Sequence, residues 1–135
     1  MNIVNDNEVL RVELTIGLPP RTKKNSQRVL KCGSRTIVAP SKAYKEYEED
    51  CFIFINRARN LMINKPVNIK CLFFMPTRRK CDLTNLLEAV DDMLVHYGVI
   101  ADDNYTIVQS HDGSRVYYDK NNPRTEILIE RVDEI

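Results

Sequence analysis

A chain of 135 residues with 43% hydrophobic and 29% charged residues, four Gly and six Pro carries enough apolar material for one buried core, which excludes a disordered tail and predicts a single domain over residues 1–135. The formal net charge of +1 hides a division after Lys80, because the first 80 residues hold 16 Lys/Arg against 7 Asp/Glu and the remainder 4 against 12. One half seeks anions and the other cations, so either a polyanionic partner is bound with a metal ion easing the repulsion between carboxylates and phosphates, or the halves neutralise each other across the fold.

In chain order, residues 9–18 alternate apolar with polar side chains and stop at Pro19-Pro20, the pattern of a strand with one wetted face. Gln27 to Leu30 and Arg35 to Val38 flank Lys31-Cys32-Gly33-Ser34, which suits the tight reversal of a hairpin with a basic loop. Pro40-Ser41 then offers a helix start. Tyr44, Tyr47, Cys51, Phe54, Ile55, Ala58 and Leu61/Met62 recur at three- and four-residue steps and mark the face turned to the core. Val67 to Met75 is rich in β-branched and aromatic residues and ends at Pro76, as a central strand would.

From Asp82 the spacing turns helical, with Leu83, Leu86, Leu87, Val90, Leu94 and Tyr97 as the apolar stripe and Gly98 as the stop. Thr106 to Ser110 and a stretch near Val116-Tyr117-Tyr118 follow as strands, with Asp112-Gly113 as a bend or bulge between them. Lys120-Asn121-Asn122-Pro123 turns the chain into a last strand, Thr125 to Val132. This order predicts an α+β (mixed α/β) fold, a small mixed sheet with two helices on one face. Cys32, Cys51, Cys71 and Cys81 lack metal-type spacing, and there is no apolar leader or bilayer-length stretch, so reduced thiols in a cytoplasmic protein are expected.

The chemistry concentrates after the central strand. Arg78, Arg79 and Lys80 form a basic run that meets Asp82 at a helix start, and Asp102-Asp103 follow that helix. Hard divalent cations such as Mg²⁺ take few protein oxygens and leave positions for water and phosphate, which suits such carboxylates beside cations. Taken alone, an aspartate at this position would cap the helix. The helix of about 16 residues spans roughly 24 Å, so Asp102 and Asp103 reach Asp82 only if the chain returns along it, with the strand from Thr106 starting beside Pro76. Thr84 and Glu88 share a stripe, and the backward tilt of helical side chains carries Glu88 over Thr84. Asp91, on the same stripe, is expected to be a solvated helix charge. His96 and His111 lack ligand spacing and are expected at the surface or in hydrogen bonds. Arg21, Lys23, Lys24 and Asn25, with Arg28, Lys31 and Arg35 on the hairpin, form a second basic surface.

These residues resemble the RusA-type Holliday junction resolvases, small endodeoxyribonucleases often carried by prophages. The resemblance rests on Gly17-Leu18-Pro19-Pro20 through Lys23-Lys24-Asn25, on Pro40-Ser41-Lys42-Ala43-Tyr44, and on Asp82-Leu83-Thr84-Asn85-Leu86 with Asp102-Asp103. It implies a homodimer that cuts opposed strands of a four-way DNA junction with Mg²⁺ (or Mn²⁺) held by Asp82 and Asp103 with Asp102 alongside, a set to which helix geometry, not the resemblance, adds Glu88. Lys80 or Arg79 would grip phosphate, and Arg21, Lys23, Lys24, Asn25, Arg28, Lys31, Arg35, Lys42, Arg78 and Arg79 would face DNA. The family's second aspartate is Thr84 here and its lysine is Glu88, an exchange along one helical stripe that keeps the number of acidic groups. The alternative is a module that binds junctions but has lost cleavage.

Overall fold

The computed structural model describes residues 2–5, 10–23, 27–40 and 42–132, with only the backbone course for residues 2, 4, 5, 27–32 and 37–40. Five strands run through the main sheet in the order β1 (Asn2–Asn5), β2 (Leu10–Ile16), β8 (Arg124–Arg131), β5 (Val67–Met75) and β6 (Val108–Ser110). A sixth, β7 (Arg115–Tyr118), also pairs with β5. β8 is antiparallel to both β2 and β5, whereas β6 and β7 run parallel to β5, one beside each end of it. β3 (Gln27–Cys32) and β4 (Arg35–Pro40) form a separate hairpin, as the Gly33 turn predicts.

Alternation settles which face is covered. Leu10, Val12, Leu14 and Ile16 of β2, Val67, Ile69, Cys71 and Phe73 of β5, and Ile127 and Ile129 of β8 are all buried. They share one core with Tyr44 and Tyr47 of α1 (Lys42–Asp50), Ile55 of α2 (Phe52–Ile55) and Leu86, Ala89, Val90, Met93 and Leu94 of α3 (Leu83–His96). The helices therefore line one face, as expected. Burial also pushes the Cys51 thiol up to about 12, so this core cysteine stays protonated and inert.

Three expectations need correction. The helix predicted to run to Leu61/Met62 tightens at Cys51, whose backbone stays helical, continues as α2 and one 3₁₀ turn at Asn56–Ala58, and stops there. The predicted start at Ser41 lies outside the described residues. Asn60 and Met62 have positive φ, and the amides of Asn60, Met62 and Ile63 donate to the carbonyls of Tyr97, Gly98 and Val99. The end of α3 thus supplies acceptors that a continued helix could not reach, and Met62 is 53% exposed rather than in the core. β1 was not anticipated, since its register with β2 is a tertiary fact. The strand expected from Thr106 begins at Val108, opposite Val67, so it lies beside the start of β5 and not beside Pro76.

Gly98 closes α3 as predicted, with φ +69 and an added Cβ 3.0 Å from Asn60 Oδ1. Gly98→Ala is expected to cost about 1–2 kcal/mol, because it combines a left-handed backbone with a crowded neighbour. A lowered urea midpoint at unchanged slope is the measurement; an unchanged midpoint would show that the turn relaxes freely.

Candidate active site

Where β5 ends, Pro76 turns the chain into the loop that carries Arg78, Arg79 and Lys80, all exposed. The Pro19–Thr22 loop, leaving β2, faces it across a cavity of about 640 Å³ whose lining includes Pro20, Arg21, Thr77, Arg79, Lys80 and Leu86. Two segments some 60 residues apart in sequence thus form one basic cleft at one end of the sheet. Lys42 and Arg35 are exposed elsewhere on the surface, and Lys42 lies 4.0 Å from Glu46. The side chains of Lys24, Asn25, Arg28 and Lys31 lie outside what is described.

Asp82 sits at the mouth of α3 with extended backbone, φ −93 and ψ 124, and its carbonyl accepts from Leu86 N. Its carboxylate, however, makes no capping bond. It accepts instead from Asn85 Nδ2 at 3.3 Å. The capping reading is therefore not what holds this side chain, which stays exposed beside Lys80 in the chain and open to further contacts.

Asp102 and Asp103 lie at the far end of α3. Asp102 Oδ1 accepts the Asp103 amide at 2.7 Å and Oδ2 accepts Asn104 Nδ2 at 3.1 Å, bonds that hold its pKa below the ordinary carboxylate value. Asp103 is shifted the opposite way, by partial burial first, then by the hydrogen bond and charge of Asp102, and by the charge of Asp92. Asp92 is itself 3.3 Å from Lys23 Nζ, and Lys23 also lies over the Tyr44 ring. Asp103 thus feels the charge of Asp92, a residue ten positions and about 15 Å along the helix axis from Asp82. Among the described residues no group of three or more His, Cys, Asp or Glu side chains is disposed to hold a metal ion. One chain does not gather Asp82, Glu88, Asp102 and Asp103 around one point.

Asp91 departs from expectation most clearly. It is not a solvated helix charge: its side chain is 15% exposed, with Oδ2 2.9 Å from His111 Nε2. His111 Nδ1 lies 2.8 Å from the Ile69 carbonyl. An acceptor at each ring nitrogen is satisfied only by the imidazolium. Burial alone would lower the His111 pKa, but the Asp91 hydrogen bond and charge and the Ile69 carbonyl outweigh it, and the net shift is upward. No local signal shows this pair, whose members are twenty residues apart.

A histidine raised in the folded state contributes stability that is complete below its unfolded value near 6.5 and is lost as pH rises through the higher folded value. Wild type is expected to exceed His111→Asn by about 1 kcal/mol at pH 6 and by less at pH 8.5, the figure discounted for partial exposure. Denaturant midpoints of both proteins across that range provide the check, and parallel curves would remove His111 from the account.

A mixed sheet with helices on one face and a basic cleft beside an uncapped carboxylate defines a small α+β domain suited to meeting phosphates. The sequence model for Endodeoxyribonuclease RusA matches residues 17–130, and the chain belongs to that endodeoxyribonuclease family. No curated protein matches the chain. None of the described helices is long and apolar enough to cross a membrane.

Proposed function

We propose that this protein is a Mg²⁺-dependent endodeoxyribonuclease that cuts four-way DNA junctions and acts as a homodimer. The observation that carries the reading is the cleft of about 640 Å³ lined by Arg21, Arg79 and Lys80, whose wall runs on in the chain to the exposed, non-capping carboxylate of Asp82, in a chain of the RusA family. Arg79 and Lys80 grip backbone phosphates, and Arg21 faces them from the opposite wall. Junction shape rather than base sequence is read by such contacts.

The carboxylates fit a hard cation in chemical type, but a single chain leaves Asp82 at one end of α3 and Asp102-Asp103 at the other. A second copy of the chain, turned end to end, would supply the missing oxygens, so the homodimer is a requirement of the site and not only of two-strand cutting. Asp82, Asp103, Asp102 and Glu88 would hold the ion, which when bound supplies activated water and neutralises charge on the reacting phosphate. Asn85 orients Asp82, and Lys80 holds the phosphate within reach.

The reading is tested by incubating a synthetic four-way junction and a linear duplex of the same sequence with the protein and Mg²⁺ or Mn²⁺. Symmetric nicking of the junction alone, absent with EDTA, is expected. The second reading, a junction-binding module without cleavage, is favoured by Thr84 and Glu88 standing where the family has aspartate and lysine. Tight binding with no metal-dependent nicking would establish it. In either case Arg79→Ala and Lys80→Ala are expected each to flatten the slope of log affinity against log salt by about 1, as one released phosphate contact does. Unchanged slopes in fluorescence anisotropy titrations would move the DNA path elsewhere.

A further inference from the structure

The edge strand β7 presents Val116, Tyr117 and Tyr118 in succession at 37%, 42% and 43% exposure. The two tyrosine rings are differently engaged. Tyr117 stacks on Phe74 with centroids 5.1 Å apart, and Phe74 also carries the guanidinium of Arg124. Tyr118 instead meets Arg78, whose Cζ lies 4.2 Å from the ring centroid. Among the described residues no carboxylate pairs with Arg78, the first cation of the exposed run Arg78-Arg79-Lys80. In the parallel register Tyr118 stands opposite Met75, the last residue of β5, so the ring marks the same sheet end as the basic cleft.

We propose that Tyr118, with Arg78 laid across it, is a stacking platform for an unpaired nucleobase at the branch of a DNA junction. A planar ring and a planar guanidinium without a carboxylate offer flat, sequence-tolerant faces to a base, and the adjoining cations take its phosphates. When a junction is held open, bases at the crossing lose stacking neighbours that an uninterrupted duplex keeps, so the platform distinguishes the two. The main competitor for an exposed edge is another strand, but β7 has four residues and offers few ladder bonds to a second copy. This inference rests on the DNA reading of the preceding section.

The test is equilibrium binding of the full chain, with catalysis blocked by Ca²⁺ in place of Mg²⁺, to a junction carrying 2-aminopurine at the branch and to matched duplex. Tyr118→Ala and Tyr118→Leu are expected to weaken junction binding about tenfold, the effect of one lost base–aromatic stack. They should also abolish the fluorescence change of the branch base and leave the salt slope intact, while Tyr118→Phe retains wild-type behaviour. If the parent binds the junction and Tyr118→Ala binds it equally with the same fluorescence response, the platform is disproved while the DNA reading stands. If the parent binds no junction at all, both fall. Loss of the dimer in Tyr118→Ala by sedimentation would also overturn the proposal and assign the ring to subunit contact.

Discussion

Asp82→Asn and Asp103→Asn are each expected to reduce junction cleavage at least about a hundredfold, the scale on which a group acting on developing charge is lost. A purified mixed dimer of the two variants should recover cleavage of one strand. Asp82 opens α3 whereas Asp103 follows its far end, where it feels the charge of Asp92, about 15 Å along the axis from Asp82, and among the described residues no three acidic groups are disposed to hold a metal. If each site takes Asp82 from one protomer and Asp103 from the other, the mixed dimer holds one site with both substitutions and one with neither. A cruciform plasmid would then be nicked and not linearised. If both residues served one site inside a chain, every site in the mixed dimer would be damaged and the plasmid would remain closed. Differently tagged chains, co-expressed and purified through both tags, provide the sample, and the ratio of nicked to linear product decides between the two arrangements.

Legibility followed how local each feature was. Val67–Met75 was read at its observed limits because a strand buried on alternate positions and stopped by proline is written in nine consecutive residues. α3 was equally plain, since Leu86, Val90 and Leu94 fix its inner face and Asp82 and Gly98 its ends. The stop after Ala58 was hidden because the apolar spacing continues through it to Leu61/Met62, and the acceptors that draw the chain away come from Tyr97, Gly98 and Val99. For the candidate site, the basic run and Asp82 could be placed at a strand end from sequence alone. What the Asp82 carboxylate touches could not, because helix capping and Asn85 compete for the same oxygens. The Asp91–His111 pair was invisible for a related reason: Asp91 looks like any helix carboxylate until β5 and the turn before β7 bring His111 and the Ile69 carbonyl against it.

Position 88 carries the other large effect. Thr84, Glu88 and Asp92 follow one another at four-residue steps of about 6 Å along α3, so Glu88 stands between the two carboxylate ends, roughly 9 Å along the axis from Asp82. A helical side chain leans toward the N-terminus, which carries Glu88 toward Thr84 and the basic cleft. Under the proposed function Glu88→Gln should therefore abolish cleavage about as thoroughly as Asp103→Asn while binding of the junction persists; near-normal turnover would take Glu88 out of the metal set. The paired substitution Thr84→Asp with Glu88→Lys returns the family's arrangement on the same stripe and should support cleavage. Should the unaltered protein bind junctions without cutting them and the paired variant cut, Thr84 and Glu88 would be the residues that silenced a nuclease. Should both cut, the acidic group has changed its position on the helix without loss of the reaction.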